Sequence, residues 1–113
     1  MSEKTLFSKI IDKEIPASIL FEDDLCIAFK DIHPQAPVHF LVVPRKPIAR
    51  LSEAGSVDHA ILGHLMLKAA QVARAQGLDD FRVVINSGES AGQTVFHLHL
   101  HVLGGRSLHW PPG

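Results

Sequence analysis

Phe96-His97-Leu98-His99-Leu100-His101-Val102 sets three histidines at alternate positions, each followed by an apolar residue. Side chains two residues apart in a strand share one face. His97, His99 and His101 then form a row on one face, while Leu98, Leu100 and Val102 bury the other. The alternation predicts a last strand over 95–103, stopped by Gly104-Gly105.

The rest of the chain is read outward from that strand. Ser87 to Gln93 is a polar loop of small residues that feeds directly into it, and Phe81 to Asn86 reads as the preceding strand. A long helix is predicted over 57–76, with Ser56 as N-cap, Asp58 at the positive end of the dipole and Gly77 at the left-handed C-cap position. Its apolar arc is wider than one sheet needs: Ile61, Leu62, Leu65, Ala69, Val72 and Ala73 form a stripe, with Gly63, Met66, Leu67 and Ala70 off it. Either the helix is deeply covered or it also faces a second copy of the chain. Val38 to Val43 is an apolar strand that puts His39, Leu41 and Val43 on one face. Pro34 and Pro37 make the segment before it, Asp31 to Pro37, a rigid loop. Ser18–Glu22 and Leu25–Phe29 read as strands joined by a tight turn at Asp23-Asp24. Leu6, Phe7, Ile10 and Ile11 fit a short amphipathic helix, closed off before Pro16. The sum is an α+β fold: a five-stranded antiparallel sheet with one long and one short helix.

The chain has 113 residues, which predicts a single domain over 1–113. Eleven basic against twelve acidic residues leave a net charge of -1, so no basic field exists for sequence-independent nucleic-acid binding. No apolar run reaches the roughly 20 residues that span a bilayer, and Met1-Ser2-Glu3-Lys4 lacks the layout of a secretory signal. The single cysteine, Cys26, has no internal partner and reads as a buried strand residue. Together these predict a soluble, cytoplasmic protein of a reducing compartment.

Three readings compete for the histidine row. It could be a structural row of half-exposed rings. It could bind metal, although three same-face positions span roughly 13 Å at 3.3 Å per residue, and no carboxylate or cysteine lies close in sequence. The third reading is catalysis. Neutral imidazole attacks phosphorus well near neutral pH, a second histidine can protonate the leaving group, and the small-residue loop offers N–H donors for phosphate oxygens.

His97-Leu98-His99-Leu100-His101-Val102-Leu103 resembles the motif of the histidine triad (HIT) family. With Ile32 to Val43, Gly63-His64-Leu65-Met66, Leu103-Gly104-Gly105-Arg106 and His109-Trp110-Pro111-Pro112-Gly113, it is similar to the Hint branch of nucleotide-binding phosphoramidases from about Phe7 to Gly113. That resemblance implies a homodimer with a ten-stranded sheet across the pair, a C-terminal tail (105–113) contributing to dimer and active site, and no metal or cofactor. It implies hydrolysis of the P–N bond in adenosine or guanosine 5'-phosphoramidates. His99 would be the nucleophile that becomes nucleotidylated, His97 would orient it through its carbonyl, His101 would contact the phosphate and His39 would buttress the triad. Asn86, Gly92 and Gln93 would contact the phosphate and Asp31 the ribose, with Phe7, Ile15, Phe29 and Ile32 forming the purine slot. Trp110 would reach toward the partner subunit's site. Thr94 stands where many members carry serine as a hydroxyl donor to the leaving group, and Lys30 also departs from the pattern. Two rivals stand beside this enzyme: a nucleotide-binding regulatory or scaffold dimer with incidental hydrolase activity, and a metal-dependent binding protein.

Overall fold

The computed structural model describes residues 4–113; the N-terminal signal reading falls partly on residues 1–3, outside the described residues. In chain order the elements are helix α1 (Leu6–Ile11), strands β1 (Ile19–Glu22), β2 (Cys26–Lys30) and β3 (Val38–Pro44), helix α2 (His59–Ala75), and strands β4 (Phe81–Val84) and β5 (Leu100–Gly104). The five strands form one antiparallel sheet in the order β1-β2-β3-β5-β4. The α+β class, the five strands and the two helices are therefore as the residue pattern predicts.

Local chemistry sets the connections. The β1–β2 turn closes because Asp23 Oδ1 accepts the N–H groups of Leu25 and Cys26, at 2.9 and 2.8 Å. This is the aspartate-turn geometry that short acidic side chains favour. Helix α2 ends as its sequence demands: Gly77 has φ +83, and the N–H groups of Gly77 and Leu78 return to the carbonyls of Arg74 and Ala73. Its start differs from expectation. Residues 56–58 form a tight 3-10 turn, and Asp58 Oδ2 accepts the Gly55 N–H instead of Ser56 capping the helix.

Each face of the sheet has its own core. Cys26, Ala28, Phe40, Val42, Leu98, Leu100 and Val102 pack beneath Leu65, Ala69, Val72 and Ala73 of α2. Ile27, Phe29, Leu41 and Val43 pack beneath Phe7 and Ile10 of α1. The alternation that sends Leu100 and Val102 toward α2 sends His101 toward α1. Met66 and Leu67 remain exposed on α2, so its apolar arc is wider than this chain covers.

The last strand is shorter than predicted. Its ladder begins at Leu100, and residues 95–97 bend, because Leu98 N–H bonds the carbonyl of Ile48 rather than a strand partner. Likewise β4 stops at Val84, which leaves Ile85 and Asn86 in the loop. Leu98, Leu100 and Val102 are nevertheless all buried.

Gly104 ends β5 under tight packing, since a Cβ there would lie 2.7 Å from Leu78 Cδ1 and 3.0 Å from the Asp80 carbonyl oxygen. Gly104→Ala should therefore destabilise the fold by about 1–3 kcal/mol through overpacking. The midpoint of urea unfolding, compared with that of Gly77→Ala, which meets open space but carries the left-handed φ, separates crowding from backbone strain.

Candidate functional site

The histidine row meets β3 through register. Leu41 pairs with His101 and His39 with Leu103 across β3 and β5, so His39 and His101 are diagonal neighbours on the α1 face. Their ring centroids are 5.2 Å apart, and His99 lies 4.9 Å from His101 on the other side. Phe7 of α1 packs edge-on against His99 at 4.8 Å.

Hydrogen bonds settle which nitrogen of each ring carries its proton. His97 Nε2–H donates to the Pro44 carbonyl at the end of β3, at 2.7 Å. Its Nδ1 is therefore an acceptor, and the hydroxyls of Ser8 and Thr5 on and before α1 stand 3.3 and 3.4 Å from it. His99 Nδ1–H donates to the His97 carbonyl at 2.7 Å, which leaves the Nε2 lone pair uncommitted. His39 Nδ1 accepts the Gln35 N–H at 3.0 Å, so its proton sits on Nε2. That proton points at His101 Nδ1, 3.0 Å away, with Asp31 Oδ2 farther at 3.4 Å. His101 consequently carries its own proton on Nε2. One ring thus holds a free lone pair and its neighbour an N–H donor, a pair suited to nucleophilic attack on phosphorus and to hydrogen bonding of its oxygens.

Burial keeps these rings neutral. It lowers the pKa values of His39, His97 and His99, opposed in His39 and His99 by the Asp31 carboxylate and in His97 and His99 by backbone hydrogen bonds. In His101 burial, then the neighbouring His99 and His39, push the pKa down to about 4.

His99 and His101 line a cavity of about 470 Å³. Phe7, Ile15 and Phe29 line its apolar part, and Ile32, 81% exposed, stands at its edge. Asp31, Asn86, Gly92 and Thr94 line the polar part, with Gly92 at φ +101 beside the Asn86 side chain. Asp31 divides its oxygens: Oδ1 accepts the His33 N–H at 2.8 Å and Oδ2 faces His39. His97 and His39 support the cavity without lining it.

Two expected site residues stand elsewhere. Gln93 does not line the cavity. Its side chain is buried and fully engaged: Oε1 accepts the Gly88 N–H, and Nε2 donates to the carbonyls of Ala49 and Val95. It shapes the loop that ends at Gly92. Trp110 is exposed on the tail, away from the cavity of its own chain. The residues that sequence reasoning missed are Thr5, Ser8 and the Gln35 main chain. Thr5 was detectable, since it precedes the apolar helix pattern and caps α1 by accepting the Ser8 N–H. The carboxylate found lacking for a metal shell is also present: ligand atoms of Asp31, His39 and His101 lie within 4.8 Å of one another.

The histidines fix a pH dependence of stability. Unfolded histidines titrate near 6.5, whereas these four take up protons only at lower pH in the folded state. Below pH 6.5 the unfolded chain binds more protons, so stability should be full above about pH 7 and fall steadily from 6.5 toward 4. Urea midpoints across that window should show the decline, and His101→Asn should flatten it.

Comparison with known proteins identifies the family. The HIT domain family model matches residues 12–108. An uncharacterized HIT-like protein of Synechocystis sp. is 64% identical over the full length of both chains. A protein of Zea mays named 14 kDa zinc-binding protein is 48% identical over 96% of this chain and 88% of its own. The crystal structure of a HIT family hydrolase from Legionella pneumophila superposes with a TM-score of 0.95 at 45% identity, covering 97% of this chain and all of that one. The sheet, the alternating histidines and these likenesses together place the chain in the HIT domain family, with the fold of a HIT family hydrolase.

Proposed function

We propose that this protein is a purine nucleoside phosphoramidase of the Hint branch, acting through a covalent nucleotidyl-His99 intermediate. The observation that carries this reading is the free Nε2 lone pair of His99 beside the protonated Nε2 of His101, on a cavity with an apolar slot at one end. A cavity of about 470 Å³ lies within the range that holds a small ligand. Phe7 and Phe29, 5.5 Å apart and edge to face, offer a wall for a planar base, and Asp31 offers a carboxylate to ribose hydroxyls.

In the proposed reaction His99 Nε2 attacks phosphorus and the P–N bond breaks. The leaving nitrogen takes a proton from solvent and departs as the amine, while the His101 Nε2–H hydrogen-bonds the reacting phosphate and the Thr94 hydroxyl stands on the same cavity to assist. Water then attacks the phosphorus of the nucleotidyl-imidazole, the bond from phosphorus to His99 Nε2 breaks, and a nucleoside monophosphate leaves while the water's proton passes to solvent. His39, fixed by the Gln35 N–H, keeps the His101 proton on the outer nitrogen throughout.

A homodimer belongs to the same proposal. The exposed Met66 and Leu67 of α2 and the outer edge of β4 would be covered by a second copy, building the ten-stranded sheet and bringing Trp110 toward the partner's cavity.

The Asp31–His39–His101 cluster and the name of the maize relative favour a second reading, in which the protein holds zinc. The donors suit a divalent cation. Bound there, the cation would take His39 Nε2 and His101 Nδ1, the two atoms whose hydrogen bond orients His101.

The expected outcome is hydrolysis of an adenosine 5'-phosphoramidate by wild type in the presence of EDTA. His99→Ala should lose at least about 10³-fold in rate, as removal of a nucleophile does, while still binding AMP. Turnover by neither protein, with AMP bound by both, would favour the scaffold dimer; turnover abolished by EDTA and restored by zinc would favour the metal reading.

A further inference from the structure

On the opposite face of the sheet from the triad, three groups with metal-ligand chemistry converge from the β1–β2 turn and from α2. The ligand atoms of Asp23, Cys26 and His64 all lie within 4.8 Å of one another. His64 Nε2 is 2.7 Å from Asp23 Oδ2, and the Cys26 sulfur lies within 4.8 Å of both groups. We propose that Asp23, Cys26 and His64 form a site for a thiophilic divalent cation of the zinc class, with solvent as the fourth ligand.

The geometry of the turn supplies the first two ligands. Asp23 and Cys26 are three residues apart on a hairpin turn closed by the Asp23 N–H to Cys26 carbonyl bond, at 3.0 Å. That is the spacing at which a zinc knuckle presents a ligand pair from one turn. The third ligand comes from a helix packed against that turn. The turn also supplies outer support, since the N–H groups of Leu25 and Cys26 bind Asp23 Oδ1 and leave Oδ2 toward the imidazole. Such orientation of a ligating carboxylate is a regular part of metal sites.

The distances need only small adjustment. Zinc bonds of about 2.0–2.3 Å place tetrahedral ligands roughly 3.3–3.8 Å apart. The imidazole and carboxylate, 2.7 Å apart, would part slightly to admit the ion, and the thiol already lies within 4.8 Å of both. Access is available, because the Asp23 and His64 side chains are 28% and 25% exposed although Cys26 is fully buried. Arg45 and Lys68 act on the thiol only through charge and have partners other than the three ligand atoms: Arg45 bonds the Asp23 carbonyl and Glu22, and Lys68 bonds Gln71 and sits over the Phe21 ring.

Metal-free, the thiol holds its proton firmly. Burial, then the Asp23 charge, push its pKa up to about 12. A dication offsets that carboxylate charge and binds the thiolate, so each cation bound at neutral pH releases one thiol proton to solvent.

The chain has one cysteine, which makes the test specific. The reduced, metal-free full chain is titrated with cobalt(II), and the near-ultraviolet thiolate-to-cobalt charge-transfer band is followed. A band that saturates at one cobalt per chain, is lost in Cys26→Ala, and weakens at least tenfold in apparent affinity in His64→Asn supports the site. Cobalt held by triad histidines alone gives no such band. Absence of the band in wild type overturns the proposal, as does a band unchanged in His64→Asn. His64→Asn alters a partly exposed helix residue, and its far-ultraviolet circular dichroism and retained AMP binding establish that it is folded.

Discussion

A nucleophilic imidazole must present one bare nitrogen, and in this chain a single hydrogen bond decides which. His99 Nδ1–H is held on the His97 carbonyl at 2.7 Å, so the lone pair remains on Nε2. That carbonyl is in place because the His97 ring is itself tied on both sides. Its Nε2–H is held by Pro44 at the end of β3, and its Nδ1 faces the hydroxyls of Ser8 and Thr5 at the start of α1. Helix α1, strand β3 and the lead into β5 therefore meet at one buried ring. Loss of any of the three would free His97 to turn and His99 to exchange tautomers.

The sheet makes this arrangement affordable by dividing labour between its faces. The face under α2 is almost wholly apolar and carries the larger core. The face under α1 carries the smaller core and the imidazoles, whose buried nitrogens all have partners among the described residues. Neutral rings in a satisfied network avoid the cost of burying charge. The same desolvation that lowers their pKa values keeps the nucleophile unprotonated at neutral pH.

Much of this was legible along the chain. Alternation of histidine with Leu98, Leu100 and Val102 assigns the faces correctly, because β pleating has a period of two whatever the strand pairs with. Gly77 announces its left-handed conformation, and Asp23 its turn, because both act through the backbone within a few residues. The start of β5 was not legible. Residues 95–97 satisfy strand patterning, but Leu98 N–H is taken by Ile48, about fifty residues away in sequence and nearby only in the folded chain. Gln93 illustrates the same limit. Its position in a polar loop beside the histidines suits phosphate binding, yet Ala49 and Val95 offer it carbonyls that only the fold brings near.

By itself, then, the sequence determined the element types, the two faces of the sheet, the family and the residue types at the site. These follow from periodicity, turn chemistry and a short motif, all local in the chain. Tertiary structure alone decided the proton positions, the approach of Asp31 to His39 and His101, and the withdrawal of Gln93 from the cavity. The physical reason is that an imidazole's two nitrogens are distinguished only by their partners. Those partners, Pro44, Ser8, Gln35 and the His97 carbonyl, are assembled by strand register and helix packing.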